Sequence, residues 1–131
     1  MINSIISTYE GICLSDERGS HTYFDLKNQI KKFRTILNEE ICENQNIVIY
    51  SDYNFFSISL LLSLTEFPVN IIPIVKTTEK EFSEKINSCN PDKIISFDNK
   101  GNIEIKNLLS DSKKLKDYLV YTSKGDTGIV L

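Results

Sequence analysis

The hydrophobic and polar positions of this chain change period several times, and each change predicts a different element. After Thr22 the apolar residues recur every three or four positions, which predicts an amphipathic helix with one buried stripe: Leu26, Ile30, Phe33 and Leu37. The Thr22 hydroxyl can cap free N–H groups of the first turn, and Asp25 follows three residues later, near the positive end of the helix dipole. The pattern therefore predicts a helix that begins at Thr22.

The next two apolar blocks predict a strand, a buried helix and a second strand. Residues 47–50 are continuously apolar and rich in β-branched side chains, which is typical of a strand buried on both faces. Residues 55–64 leave almost no polar face, so we expect a largely buried helix, with Asp52 in the turn that caps it. Residues 69–75 predict the next strand. Pro73 lacks an N–H group, so we place it near a strand end, at a bulge or on an unpaired edge.

A third helix, a third strand and a hairpin arm are predicted next. Thr78 and Glu81 have the spacing of a capping box. Three positions of this helix are expected to face inward: Phe82, Ile86 and Cys89. Asn90-Pro91 should stop the helix, and residues 93–97 predict a buried strand. A turn at residues 98–101 predicts a small hairpin arm that carries Ile103 and Ile105.

The two ends of the chain have weaker patterns. Before residue 20 we expect a short helix and then a strand at residues 11–14, and near the carboxyl end we expect a strand at residues 118–122. Strands that alternate with helices of about a dozen residues favour right-handed crossovers. We therefore predict a single α/β domain over residues 1–131, with three layers: a mainly parallel sheet, helices on both of its faces, and the small hairpin arm.

Composition narrows the possible partners. The formal net charge is −3 and the isoelectric point is near 5.2, which argues against non-specific nucleic-acid binding because that needs a basic face. The most apolar window, residues 53–75, is interrupted by Glu66, Pro68 and Asn70, so we expect no membrane span. Three widely spaced cysteines fit reduced thiols and a cytoplasmic location better than a disulfide framework or a zinc site.

The order of these elements resembles the N-terminal part of the adenylate-forming enzymes: acyl-CoA synthetases, firefly-type luciferases and the adenylation domains of nonribosomal peptide synthetases. In that family a Thr-Tyr-x-x-Leu element opens the first helix, and a buried strand, a hydrophobic helix and a strand around a proline follow. The resemblance extends over about residues 20–131. Four segments carry it, in this order: Thr22-Tyr23 with Leu26, residues 47–54, residues 67–73 and residues 92–97.

The segment at residues 121–128, Tyr-Thr-Ser-Lys-Gly-Asp-Thr-Gly, is similar to the family's phosphate loop, Thr/Ser-Ser-Gly-Thr-Thr-Gly-x-Pro-Lys. Its candidate phosphate-binding residues are Thr122, Ser123, Gly125, Thr127 and Gly128. Lys124 interrupts the Ser-Gly step, and Asp126 would place a negative charge beside phosphate. We therefore favour a second interpretation, in which residues 128–131 form the strand that leads into the loop and the loop follows them. For the hydroxyl and glycine residues of this segment we favour a polar β-turn with no ligand over contacts to phosphate.

The resemblance implies a parent enzyme that activates a carboxylic acid with ATP and Mg²⁺ and transfers the acyl group to CoA or a carrier thiol. The family's later adenine, ribose and Mg²⁺ motifs and its catalytic lysine have no counterpart in these residues. We therefore expect this chain to be an inactive N-terminal scaffold, with no catalytic residue, metal ligand or cofactor of its own. Its expected partners are the remainder of the parent polypeptide and, through exposed apolar surface, a second copy.

Two other functions stay open from the sequence alone. The chain could be a stand-alone, non-catalytic α/β module that binds a partner, or a signalling domain that binds a nucleotide at residues 122–128. His21 precedes a helix, so we expect a surface or capping role for it rather than catalysis. Helix capping explains Asp52 more simply than a receiver-type acidic site does. The apolar stripe of residues 55–64 is interpreted as core rather than as an acyl-chain groove.

Overall fold

The fold is seen in a computed structural model of the chain, which describes residues 10–108 and 128–129. That part of the chain contains three helices and seven strands. The helices are α1 (Tyr23–Glu40), α2 (Phe55–Leu64) and α3 (Glu79–Cys89). The strands are β1 (Ile12–Asp16), β2 (Gly19–Thr22), β3 (Asn46–Tyr50), β4 (Asn70–Ile74), β5 (Lys93–Phe97), β6 (Ile103–Asn107) and β7 (Gly128–Ile129).

Five of the strands form one sheet in the order β6-β5-β3-β4-β7. Strands β5, β3, β4 and β7 run parallel, and β6 pairs antiparallel with β5 at one edge. Strands β1 and β2 form a separate antiparallel hairpin. The predicted α/β class with a mainly parallel sheet is therefore confirmed.

The sheet is covered on both faces, so the predicted three-layer arrangement is also confirmed. Helices α1 and α2 pack on one face around a core built from Phe33, Leu37, Ile47, Ile49, Leu60, Leu64, Val69, Ile71 and Ile95. Helix α3 packs on the other face around Val48, Ile72, Ile74 and Cys89, with Phe82 and Ile86 beside them. Alternate residues of β3 point into the two cores, which explains why its sequence is apolar throughout.

The first helix begins as the sequence predicts. The Thr22 hydroxyl accepts a hydrogen bond from Asp25 N at 3.0 Å, and the Asp25 carboxylate accepts one from Thr22 N at 2.9 Å. The predicted stripe of Leu26, Ile30, Phe33 and Leu37 is buried. Helix α3 begins at Thr78 as predicted, but only half of the expected capping box forms. The Glu81 carboxylate accepts a hydrogen bond from the Thr77 hydroxyl instead of from Thr78 N.

Helix α2 begins at a different cap from the predicted one. Asn54, not Asp52, is the capping residue, because its side chain accepts a hydrogen bond from Ser57 N at 3.0 Å and the Ser57 hydroxyl accepts one from Asn54 N at 2.8 Å. The Asp52 carboxylate accepts a hydrogen bond from Lys76 N at 3.2 Å, after β4. Both residues had the chemistry of a cap, and the end of β3 at Tyr50 leaves enough chain for the second of them to take the position.

Pro73 lies one residue from the end of β4, as expected. Ser51 N donates to Ile74 O at 3.1 Å, so the main chain of Ile74 faces β3, and that of Pro73, one residue earlier, faces the other way. The described pairing between β4 and β7 extends only over Asn70 and Ile71. Pro73 therefore removes no hydrogen bond from the β3–β4 ladder.

The predicted hairpin arm is confirmed: β6 follows the turn at residues 98–101, pairs antiparallel with all of β5 and forms one edge of the main sheet. One expectation about hairpins needs correction. The separate hairpin lies earlier, where only a strand at residues 11–14 was expected and β2 was missed. The expected short helix before residue 10 and the expected strand at residues 118–122 lie outside the described residues. In the described part of the chain, no helix has the length and hydropathy needed to cross a membrane.

Candidate functional site

The topology places one crevice at the carboxyl ends of β3 and β4. The chain leaves β3 into α2 on one face of the sheet and leaves β4 into α3 on the other. Ligands of open α/β sheets bind where neighbouring connections diverge in this way. The crevice is bordered by residues 51–54 and residues 75–78.

Two hydrogen bonds within the protein span this crevice. Ser51 N bonds to Ile74 O at 3.1 Å, and Asp52 Oδ1 accepts a hydrogen bond from Lys76 N at 3.2 Å, so the two loops are tied together. The rim is open, with Tyr53 61% exposed and Val75 41% exposed. The edge therefore offers an aromatic ring and an aliphatic side chain at its surface, but its best acceptor, Asp52, already has a partner.

The β1–β2 hairpin is fixed to the start of α2 by a cluster that we call the hairpin clamp: Asp16, Arg18, His21 and Phe55. Asp16 Oδ2 accepts a hydrogen bond from Phe55 N at 2.8 Å, and Asp16 Oδ1 accepts one from Arg18 N at 2.9 Å and lies 3.0 Å from His21 Nε2. The imidazole of His21 stacks on the Phe55 ring at 4.0 Å and an interplanar angle of 9°. The Asp16 carboxylate is thus the centre of the cluster.

The electrostatics of the clamp follow from these contacts. Burial raises the pKa of the Asp16 carboxyl, but the hydrogen bonds from Phe55 N, His21 and Arg18 N outweigh burial and hold the pKa below its usual value. Asp16 is therefore ionised near neutral pH and places a negative charge at the amino end of α2, where the helix dipole favours it. The free N–H groups that could hold a phosphate at this helix are already partly used by Asp16 and Asn54.

Arg18 extends the clamp to the turn between β5 and β6. Its guanidinium donates to Asn99 O at 3.0 Å and lies 4.9 Å from the centre of the Phe56 ring. A surface or capping role was expected for His21, but its ring stacks on Phe55 instead, and Asp16 and Arg18 were not among the expected site residues. The Asp-Glu-Arg-Gly sequence at residues 16–19 signals a turn. The partners of Asp16 and Arg18 on α2 and beyond β5 are 39 and 81 residues away, so no local pattern could reveal them.

Of the five candidate phosphate-loop residues, only Gly128 lies within the described residues. It belongs to β7 and pairs with Asn70, at the amino end of β4. Gly128 therefore lies at the amino ends of the parallel strands, whereas the crevice lies at their carboxyl ends. At residues 128–129 the chain is a strand, as the favoured interpretation expects. Thr122, Ser123, Gly125 and Thr127 lie outside the described residues, and phosphate binding by that segment stays a prediction.

The described residues contain no group of three or more His, Cys, Asp or Glu side chains that could hold a metal ion. Burial raises the pKa of the thiols of Cys13 and Cys89, which disfavours the nucleophilic thiolate at both positions. Cys89 is buried in the core, as the sequence predicts, and Cys42 is exposed. Helix α2 also lies in the core, as expected for residues 55–64.

No family model and no curated protein sequence matches the chain. Solved structures do match the chain. The Klebsiella oxytoca NpsA N-terminal subdomain matches with a TM-score of 0.64 at 17% identity, over 72% of this chain and 26% of that chain. VinN matches with a TM-score of 0.63 at 15% identity, over 98% of this chain and 32% of that chain.

A third structure, IdnL1, matches with a TM-score of 0.59 at 17% identity, over 71% of this chain and 23% of that chain. This chain therefore spans about a quarter to a third of the length of these proteins. The NpsA subdomain has also been solved in complex with anthranilyl-AMSN, and VinN with L-aspartate. At these identities the likeness establishes a shared fold, and it is the fold that the resemblance to N-terminal subdomains of adenylate-forming enzymes implies.

Proposed function

We propose that this chain is the N-terminal scaffold of an ATP-dependent ligase that forms an acyl or aminoacyl adenylate and then transfers the acyl group to CoA or a carrier thiol. The observation that carries the proposal is the fold match to the NpsA N-terminal subdomain. The sequence supports it independently, because the family's elements occur in this chain in the same order.

In this proposal the chain contributes the sheet and part of the wall of a cleft. The hairpin clamp and the hydrogen bonds between the loops after β3 and β4 fix the carboxyl edge of the sheet. A rigid edge suits a scaffold, because binding groups are positioned more accurately on braced elements than on free loops. The complexes of NpsA with anthranilyl-AMSN and of VinN with L-aspartate support aryl and amino acids as the class of acid to test.

ATP and Mg²⁺ do not fit the described residues. Within residues 10–108 and 128–129 there is no acidic cluster for the cation, and Asp16 already occupies the amino end of α2. Mg²⁺ binds to carboxylates and substrate phosphates together, so a site without either is not its site. We therefore propose that the nucleotide and the metal bind to the remainder of the parent enzyme.

The same proposal covers partners and location. The remainder of the parent polypeptide would cover the crevice at β3 and β4, whose rim exposes Tyr53 and Val75. A cytoplasmic location fits the three free cysteines, and a neutral to acidic surface fits a protein that does not bind nucleic acid.

The transcript that contains this coding sequence tests the proposal. We expect the frame after the Leu131 codon to continue into a Ser-Gly-Thr-Thr-Gly-like segment. A stop codon directly after Leu131 would contradict a parent ligase and favour the stand-alone module. Calorimetric titration of the 131-residue chain with ATP and with AMP separates the remaining alternative, since a nucleotide-binding signalling domain would release or absorb heat and a scaffold would not.

A further inference from the structure

Strand β6 forms one edge of the main sheet, and within residues 10–108 and 128–129 no strand pairs with its outer side. The direction of its main-chain groups follows from two hydrogen bonds that flank it, Asp98 N to Asn102 O at 2.9 Å and Leu108 N to Asp92 O at 3.0 Å. Along an antiparallel strand, residues whose main-chain groups point toward the partner strand alternate with residues whose main-chain groups point away from it. Asn102 and Leu108 point toward β5, so the even-numbered residues between them do as well. Glu104 and Lys106 therefore bond to β5. The outward N–H and C=O groups belong to Ile103, Ile105 and Asn107.

Among residues 10–108 and 128–129, grooves flank this edge on both faces of the sheet. On the α1 side a groove of about 420 Å³ separates the helix from the turn before β6, and Ile36 on that helix is 44% exposed. On the α3 side a groove of about 320 Å³, lined by Tyr50, Phe82 and β6 itself, separates α3 from the edge. A groove thus lies between each of these two helices and the β6 edge.

The side chains of β6 carry a self-complementary pattern. Glu104 and Lys106 are exposed on the α3 face, and Ile103 and Ile105 are half-buried on the face of α1 and α2. The order along the strand is apolar, acidic, apolar, basic, polar. Reversing this strand about its middle residue, Ile105, brings an acidic position opposite a basic one.

We propose that β6 pairs antiparallel with β6 of a second copy of this chain, about a two-fold axis through Ile105. Ile105 then faces Ile105 of the second copy, and Ile103 faces Asn107 of the second copy. Each of these facing pairs exchanges two N–H···O bonds, because all three residues direct their main-chain groups outward. Glu104 lies opposite Lys106 of the second copy, in the pairs whose side chains approach most closely. The two sheets become one continuous sheet.

The charges select this register and this partner. Moving the second strand by two residues places Glu104 opposite Glu104, or Lys106 opposite Lys106, and like charges directly opposite each other are unfavourable. Edge strands commonly carry charged residues that deter pairing with other chains. On β6 the two charges have opposite signs. In an antiparallel pair with a second copy of β6, each Glu104 therefore lies opposite a Lys106, and the charges favour this pairing. The contact is small, and the dimer is expected to be weak and dependent on concentration.

Charge reversal at the two exposed positions tests the dimer without touching the core. Sedimentation velocity on the 131-residue chain, over a concentration series that reaches about 1 mM, should show a monomer–dimer equilibrium. Glu104→Lys and Lys106→Glu should each weaken it by roughly tenfold or more, because both cross-strand pairs become like-charged. An equimolar mixture of the two variants should recover dimerisation, since each cross-strand pair then joins a lysine of one variant to a glutamate of the other. The double variant E104K/K106E should recover it as well.

Controls separate this edge from other modes of association. Lys27→Glu and Glu39→Lys make the same charge changes on exposed positions of α1, and both should dimerise like the parent chain. Ile105→Pro removes one outward donor and should give a monomer whose circular dichroism is unchanged. A parent chain that stays monomeric over the whole series would overturn the proposal. Association that ignores both reversals, as expected for a contact between exposed apolar surfaces, would overturn it too.

Discussion

The side-chain amide of Asn70 donates a hydrogen bond to Asn46 Oδ1 at 2.9 Å, between the amino ends of two neighbouring buried strands. The other halves of the two amides, Asn46 Nδ2 and Asn70 Oδ1, are buried and have no partner among the described residues. Each amide is thus only partly satisfied. The two asparagines lie directly opposite each other in the register of β3 and β4, and a one-residue slip would separate them and move apolar side chains to the wrong face.

We predict that each of the two asparagines contributes more to the free energy of unfolding when the other is present. Asn46→Val or Asn70→Val should each lower the free energy of unfolding by about 1–3 kcal/mol, because the remaining amide then lies buried with no hydrogen bond. The double variant should lose much less than the sum of the two single losses, because both polar groups are gone. Urea unfolding of the four proteins measures this. Additive losses would show that the two amides are energetically independent.

A second prediction concerns Asp16 and acid stability. The pKa of Asp16 is lower in the folded state than in the unfolded state. Its contribution to the free energy of unfolding is therefore fully present above the unfolded-state pKa of about 3.9. That contribution is lost as the pH falls from there through the lower folded-state pKa. Asp16→Asn should therefore lower the free energy of unfolding by about 1–2 kcal/mol at pH 7. It should also show a flatter decline in stability between about pH 5 and pH 3.

Urea unfolding at several pH values checks this, with Glu17→Gln as the control. Glu17 is exposed beside Asp16, so Glu17→Gln should leave the free energy of unfolding at pH 7 close to that of the parent chain. If D16N and the parent chain declined in parallel on acidification, the carboxylate of the hairpin clamp would not be the group that titrates.

A third prediction concerns the turn that joins β5 to β6. Gly101 has φ +84°, and a Cβ at this position would lie 2.5 Å from the ring of Phe56. Gly11 has nearly the same backbone angle, φ +89°, and no atom within 4 Å of its Cβ position. Gly11→Ala should therefore cost only the backbone strain, about 1 kcal/mol, and Gly101→Ala should cost about 1–3 kcal/mol more because of the clash.

Thermal or urea unfolding of the two alanine variants measures the difference directly. Phe56→Leu in the G101A background should recover part of the loss by giving the new methyl group room. Equal losses at the two glycines would mean that the Phe56 ring moves aside without cost and does not hold the turn in place.

Local patterns predicted the elements that are stabilised locally. The helix after Thr22 has its cap, its acidic partner and its buried stripe within one stretch of sequence, and all of them formed as expected. The run at residues 47–50 is apolar on both faces because its side chains pack into the cores on both sides of the sheet, so its burial could also be predicted from the sequence.

Three features were predicted wrongly or not at all, and other interactions explain them. Strand β2 is made of Gly, Ser, His and Thr, with no apolar alternation, and its hairpin is fixed by Asp16 and His21 against α2. Asp52 and Asn54 are equally good caps by chemistry, but the Asp52 carboxylate accepts a hydrogen bond from Lys76 N, 24 residues away, and Asn54 caps the helix. The capping box at Thr78 lost its second half to a competing hydroxyl on Thr77. Contacts between residues distant in sequence determine the β1–β2 hairpin and the cap of α2. At Thr78, two neighbouring hydrogen-bond donors compete for the same carboxylate.

The candidate site was predictable only in outline. The sequence predicted the mainly parallel sheet but neither its strand order nor the crevice at the ends of β3 and β4. The strand at residues 128–129 agrees with the favoured interpretation of the last residues. The bonds that span the crevice, such as Asp52 to Lys76 N, depend on loop geometry that no spacing in the sequence encodes.

Pyrophosphate exchange tests the scaffold proposal most directly. The assay follows return of labelled pyrophosphate into ATP in the presence of a carboxylic acid, with aryl and amino acids as the first panel. The 131-residue chain alone should give no exchange above background, whereas the protein encoded by the complete transcript should exchange with at least one acid. Exchange catalysed by the 131-residue chain itself, or a complete protein that is inactive with every acid, would contradict the proposal.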